Sequence, residues 1–309
     1  MNMVTEMGKT RPSSPSAPSA PASAFASALR SGLRQGLQWR LLLSWLLVLL
    51  ASTLLALLPL WNALGEYFNR SLAADRLLQQ LDPSLLVDAI ANLPQRGYSP
   101  LSGLPGLVLA ALSLPWLSGM VQAAARVHVG RPTLGQLWLG GWKEYPQMAR
   151  LWLWGLLPLG ATAALVGGLT DMVDDQARQW LLESDLDLHH RAFLGLGLAL
   201  SLLVLASLDA TRALLVLEPG RRSVVKAWGS ALRSLLRRPA RLVLSLGLLV
   251  LGLLLGALLG VARMQVLPVG PLGLSGAAVL SLLLVLSLAW LRAARVLALV
   301  QYGRALGPR

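Results

Sequence analysis

The sequence contains no cysteine and very little charge. Without a thiol there is no disulfide, no thiolate metal ligand, no cysteine nucleophile and no site for S-palmitoylation, and redox compartment leaves no mark. Charged residues make up 13% of the 309 positions, about half the share typical of a soluble domain. So few solvating groups cannot cover a water-facing surface of this size. Phe and Tyr are scarce too, with three and four copies. No stretch alternates apolar and polar residues as the strands of an outer-membrane barrel do.

What remains is apolar. Hydrophobic residues make up 55% of the chain and the mean hydropathy is +0.61, so a bilayer is the natural solvent. Six apolar stretches run from about Leu41 to Trp61, Leu104 to Ala124, Leu151 to Thr170, Ala192 to Thr211, Leu242 to Val261 and Leu274 to Ala293. Each is close to the roughly 20 residues that cross about 30 Å of hydrocarbon as a helix. The expected fold is all-α, a polytopic membrane bundle of about six transmembrane helices over residues 25–309. A Ser/Pro/Ala-rich tail over residues 1–24 reads as disordered. The first apolar stretch begins too late and runs too long for a secretory signal. Pro115 and Pro158 interrupt the second and third stretches, which spans tolerate where neighbouring helices satisfy the freed backbone groups.

Lys and Arg near the span ends set orientation. Arg30, Arg34 and Arg40 precede the first span. Arg126, Arg131, Lys143 and Arg150 follow the second. Arg212, Arg221, Arg222, Lys226, Arg233, Arg237, Arg238 and Arg241 follow the fourth, and Arg292, Arg295, Arg304 and Arg309 close the chain. The alternate loops hold ten of the fourteen acids: Glu66, Asp75, Asp82, Asp88, Asp171, Asp174, Asp175, Glu183, Asp185 and Asp187. One topology satisfies all of this, with both termini cytoplasmic in a bacterial inner membrane. The net charge of +13 is then the orientation signal. It suits anionic phospholipid headgroups, and no nucleic-acid-binding fold surrounds it.

A threefold pattern runs through the chain. Each odd-numbered span follows a basic amphipathic stretch: SAFASALRSGLRQGLQWRLLL from Ser23, TLGQLWLGGWKEYPQMARLWL from Thr133 and SVVKAWGSALRSLLRRPARLVL from Ser223. Ser or Thr opens each as a helix N-cap. Superposing Thr133 on Ser223 aligns Trp138 with Trp228 and Lys143 with Arg233. In the third copy Val224, Ala227, Trp228, Ala231 and Leu235 recur at helical spacing, as in a helix lying in the headgroup boundary. The even spans end in arginine beside small residues, at Arg126, Arg212 and Arg292 with Arg295. The expected unit is an interfacial helix plus a helical hairpin.

The stretch SVVKAWGSALRSLLRRPARLVLSLGLLVLG resembles the Ser-x-x-x-Ala-(Trp/Phe)…Leu…Arg-x-Pro lead-in of uncharacterised bacterial six-span inner-membrane proteins. Those are similar to the membrane-domain portion of some glycerophosphodiester phosphodiesterases. The likeness covers most of the chain after residue 25 and departs at Arg237-Arg238-Pro239, where a second Arg precedes the Pro. The resemblance implies an inner-membrane helical bundle. It implies no activity, since the family's phosphodiester chemistry resides in a separate soluble domain.

Several motifs invite chemistry. Gly273-Leu274-Ser275-Gly276 matches the nucleophile motif of rhomboid-type proteases, but that serine needs a base on a later helix. The histidines, His128, His189 and His190, all precede it. Asp185-x-Asp187-x-His189-His190 offers metal-ligand types on one face of an extended segment, yet an acidic outer loop is already required by the topology. Asp209 and Arg212, at i and i+3, read as a local pair in the last turn or so of the fourth span. Asp209 is the carboxylate placed within a span, so Asp209, Arg212 and Gln122 are the polar candidates for a functional site. Gly252, Gly256 and Gly260 form a ridge for close helix packing, with homo-oligomerisation the other use of such a ridge. Trp39, Trp61, Trp116, Trp138, Trp142, Trp180 and Trp290 read mainly as an aromatic belt.

The expected function is that of a non-enzymatic inner-membrane protein, an accessory or assembly factor for envelope processes, without cofactor or metal. The other class is a small-molecule or lipid transporter. A solvated cavity lined by Gln122, Asp209 and Arg212 would mark transport, and a dry bundle the accessory role.

Overall fold

Eight helices carry nearly all of the described residues, and no strand occurs among them. They are α1 (Pro21–Gly36), α2 (Trp39–Asn69), α3 (Leu104–Arg126), α4 (Leu134–Ala177), α5 (Glu183–Leu217), α6 (Val224–Arg237), α7 (Pro239–Gln265) and α8 (Gly270–Ala305), with a 3-10 turn at Pro100–Gly103. The computed structural model describes residues 21–69, 98–127, 132–177, 183–221, 223–266 and 270–306, with positions 91 and 94. The tail before residue 21, the loop acids Asp75, Asp82 and Asp88, and Arg131, Arg222, Arg309, His128 and Trp180 lie outside them. Six helices, α2, α3, α4, α5, α7 and α8, are long and apolar enough to cross a membrane.

Local chemistry sets the breaks. Arg238 is extended (φ −128°, ψ 90°) because the following Pro239 disfavours a helical residue before it, and Pro239 then sits in the first turn of α7. The Ser223 side chain caps α6 by accepting from Lys226 N. Thr133 and Gln136 form a capping box at α4, Thr133 Oγ1 accepting from Gln136 N at 3.2 Å and Gln136 Oε1 from Thr133 N at 3.0 Å.

Two expectations about the lead-in stretches are corrected. Ser23 is not an N-cap, because α1 is already helical at Pro21. The second stretch is not a separate helix, for α4 runs unbroken for 44 residues through Pro146 and Pro158. In the register that aligns Thr133 with Ser223, Ala149 stands where the third copy has Pro239. Nothing there forces the preceding residue out of the helix.

Packing closes the three units into a ring. Each lead-in lies not on its own hairpin but on the last helix of the preceding unit. The start of α4 packs on α3, where Trp116 meets Trp138 edge-on at 5.0 Å. Helix α6 packs on α5, where Trp228 Nε1 donates to Ser207 Oγ at 2.9 Å. Helix α1 packs on α8, where Trp290 Nε1 donates to the Leu33 carbonyl at 2.9 Å and Phe25 meets Tyr302 at 6.4 Å. The first and last helices, α1 and α8, thus lie together at the arginine-rich end of the bundle. The three even spans, α3, α5 and α8, also touch one another and form an inner trio, with α2, α4 and α7 outside them. Alanines such as Ala124, Ala206, Ala213, Ala293 and Ala298 are buried along the trio and allow the close approach.

The buried core occupies the arginine-rich half, around Leu41, Leu117, Met120, Leu244 and Leu297. The far halves of the spans expose apolar side chains, including Leu58, Leu107, Leu194 and Leu258. Apolar surface this continuous marks contact with lipid. Gly252 and Gly256 face Leu291 and Leu288 of α8, so most of the glycine ridge packs within the chain; Gly260 meets nothing within 4 Å. Trp39, Trp61 and Trp142 are exposed as an aromatic belt requires, but Trp116 is buried and Trp290 is half-buried beneath α1. Those two rings serve packing, since each lies on an inner helix covered by a lead-in.

Candidate functional site

Where the inner trio converges, a carboxylate and several guanidiniums meet. Asp209 stands on α5, eight residues before the helix ends at Leu217, about 12 Å inside it at 1.5 Å per residue. It is therefore deeper than a last-turn position. Its Oδ1 accepts from Arg212 Nη1 on the same helix, and its Oδ2 lies 3.1 Å from Arg295 Nε on α8. From α3, Gln122 Nε2 donates to the Arg212 carbonyl at 3.3 Å. One site thus ties α3, α5 and α8.

All three candidates from the sequence, Asp209, Arg212 and Gln122, come together here. Arg295, by sequence a topology marker, converts the local pair into a bridge between helices. The repeat places Arg212 and Arg295 at equivalent helix ends, but no spacing within the sequence fixes their meeting at Asp209. Arg292 lies within Coulombic range of Asp209, Arg212 and Arg295, and its guanidinium sits 5.4 Å from the Trp45 ring centroid, a cation–π contact that ties α8 to α2. Arg126 follows a different course and forks onto both oxygens of Glu144 on α4. Bidentate pairing of this kind is strong and geometrically specific. The guanidiniums of Arg212 and Arg295 therefore share the single carboxylate of Asp209, and burial strengthens their interaction with it.

The centre of the site is buried, while the Arg212 and Arg295 side chains keep 12% and 15% exposure. Gln122 and Thr211 are 0% exposed and Asp209 is 2% exposed. The remaining motifs stay apart from it. Ser275 Oγ donates to the Leu272 carbonyl at 3.0 Å, a local contact within α8. The His189 ring packs near Phe193 at 6.4 Å, and the side chains of Asp185 and Asp187 lie outside the described residues. Among the described residues no three metal-ligating side chains gather.

Lipid-facing apolar helices around a polar, arginine-marked end define a multi-pass α-helical membrane protein. No family model, curated protein or solved structure matches the chain.

Proposed function

We propose that this chain is a non-enzymatic protein of a bacterial inner membrane, an accessory or assembly factor for envelope processes. In this reading both termini are cytoplasmic and the basic helices sit among anionic phospholipid headgroups. The burial of Gln122 and Asp209 carries the proposal: a transport path past them needs water to reach both, and they are 0% and 2% exposed, with the Arg212 side chain at 12%. The ion pairs act instead as a clamp on the inner trio. Orientation is supported by the arginines gathered at one end. The six-span pattern resembled in the sequence fits the same assignment.

The chain has no native thiol, so cysteine labelling tests both parts cleanly. Thr211→Cys in membrane vesicles is expected to resist maleimide from either side and to react only after denaturation. Labelling of the folded protein from either side would reveal a solvated path and sink the accessory reading. For orientation, an impermeant maleimide applied to spheroplasts is expected to label Ser184→Cys and to spare Gly229→Cys on α6. The opposite pattern would invert the topology.

A further inference from the structure

A cleft of about 710 Å³ opens at the arginine-rich end between α5, α6, α7 and α8. Six arginines line it, Arg221, Arg233, Arg237, Arg238, Arg241 and Arg304, against the single carboxylate of Glu218. The sequence explains the convergence. Ser230, Arg233, Ser234 and Arg237 recur at i, i+3, i+4 and i+7, which is one face of α6. The Arg238-Pro239 break then turns the chain so that Arg238 and Arg241 meet that face. Ala227, Ala231 and Leu235, buried on another side of α6, hold it against the bundle.

Three of the six arginines are committed. Arg221 pairs with Glu218 at 2.7 Å and donates to Ser230, Arg241 donates to Ser234, and Arg304 Nη2 donates to the Ala125 carbonyl at 2.8 Å. The side chains of Arg233, Arg237 and Arg238 have no hydrogen-bond or ion-pair partner among the described residues. Arg233 and Arg237, four apart on one helix, repel each other. Such a grouping is relieved by an anion from outside, and guanidinium forks match phosphate oxygens in pairs. The cleft falls within the usual size range of ligand sites, and Leu214 and Leu217 give it an apolar side.

The first unit has a related cleft of about 890 Å³ lined by Arg30, Arg34 and Arg40. There Arg40 is already taken: it donates to the Pro132 carbonyl at 2.8 Å and lies 5.6 Å from the Trp39 ring centroid. The third unit's cleft keeps more free donors.

We infer that the α5–α8 cleft is a discrete phosphate-binding site that takes the headgroup of an anionic phospholipid, with Arg233, Arg237 and Arg238 as its principal donors. The inference rests on the headgroup contact proposed above and narrows it to one place. Full-length protein, purified in detergent and stripped of native lipid, is titrated separately with cardiolipin, phosphatidylglycerol, phosphatidylcholine and inorganic phosphate. Bound ligand is counted by native mass spectrometry. The anionic lipids are expected to bind ahead of phosphatidylcholine. Arg233→Gln/Arg237→Gln is expected to weaken them about tenfold or more, the scale of losing charge-assisted hydrogen bonds. Lys143→Gln/Arg150→Gln removes the same charge elsewhere on that end and is expected to retain wild-type affinity. Equal weakening in both double variants would overturn the cleft while leaving general headgroup attraction standing. Inorganic phosphate binding as tightly as the lipids would overturn the lipid source. No preference for anionic lipid in any variant would overturn the headgroup reading itself.

Discussion

Asp209→Asn is expected to be the most damaging polar substitution in the chain, costing about 3–5 kcal/mol of stability. That is the usual effect of removing one partner from a buried ion pair. The carboxylate is 2% exposed and faces Arg212 and Arg295, with Arg292 in Coulombic range. Removing its charge leaves the Arg212 and Arg295 guanidiniums with no anion in contact, and an unpaired buried cation costs far more than the pair contributes. Arg212→Gln and Arg295→Gln should each cost less, because Asp209 keeps the other arginine. The Asp209→Asn/Arg295→Gln double variant should lose less than the sum of its parts, since these side chains share one network. Melting in detergent and the amount accumulated in the membrane read this order. An Asp209→Asn protein that melts with the wild type would show that the clamp does not hold the trio.

Gly32→Leu should open the ring where its first and last helices meet. A Cβ at Gly32 would fall 2.5 Å from Ala298 Cβ, 2.7 Å from Ala298 Cα and 2.8 Å from Ala298 N. Two of those atoms are backbone, so the clash cannot be relieved by a side-chain rotation and α1 must lift from α8. Overpacking typically costs about 1–3 kcal/mol, and a backbone obstruction belongs at the upper end. Gly229→Leu on α6 is the control, because a Cβ there meets nothing within 4 Å and leucine is the better helix former by up to about 1 kcal/mol. Gln301 Nε2 donates to Gln35 Oε1 at 3.3 Å, so cysteines at 35 and 301 lie within reach of a short bis-maleimide cross-linker that reports the contact. The cross-link should form in the parent chain and in Gly229→Leu, and should fail in Gly32→Leu. Efficient cross-linking in Gly32→Leu would mean that α1 tolerates the added bulk without leaving α8.

Much of the architecture was legible from hydropathy and charge, because both are local. A run such as Leu242 to Val261 declares a span wherever it packs, and the arginines beside it are local as well. Gln122, Asp209 and Arg212 stood out for a related reason: polar side chains inside apolar runs are conspicuous whatever their partners. Their partners were not legible. Arg295 and Asp209 are 86 residues apart in number, and no periodicity within one helix reports a contact with another. Trp116 failed similarly as a belt residue, since position near a span end says nothing of which side a lead-in helix will cover.

By itself, then, the sequence determined the class, the number of crossings, the arginine-rich end and the amphipathic lead-ins, all set by the transfer of side chains and backbone between water and hydrocarbon. Only the tertiary structure decided that each lead-in lies on the preceding unit's last helix and that α1 closes the ring on α8. It alone decided that Asp209 is shared across the inner trio and that Arg221, Arg233, Arg237, Arg238 and Arg241 line one cleft. Those outcomes depend on which small residues permit close approach and which charges then meet. Such matters belong to pairs of distant residues, and no single stretch of chain encodes them.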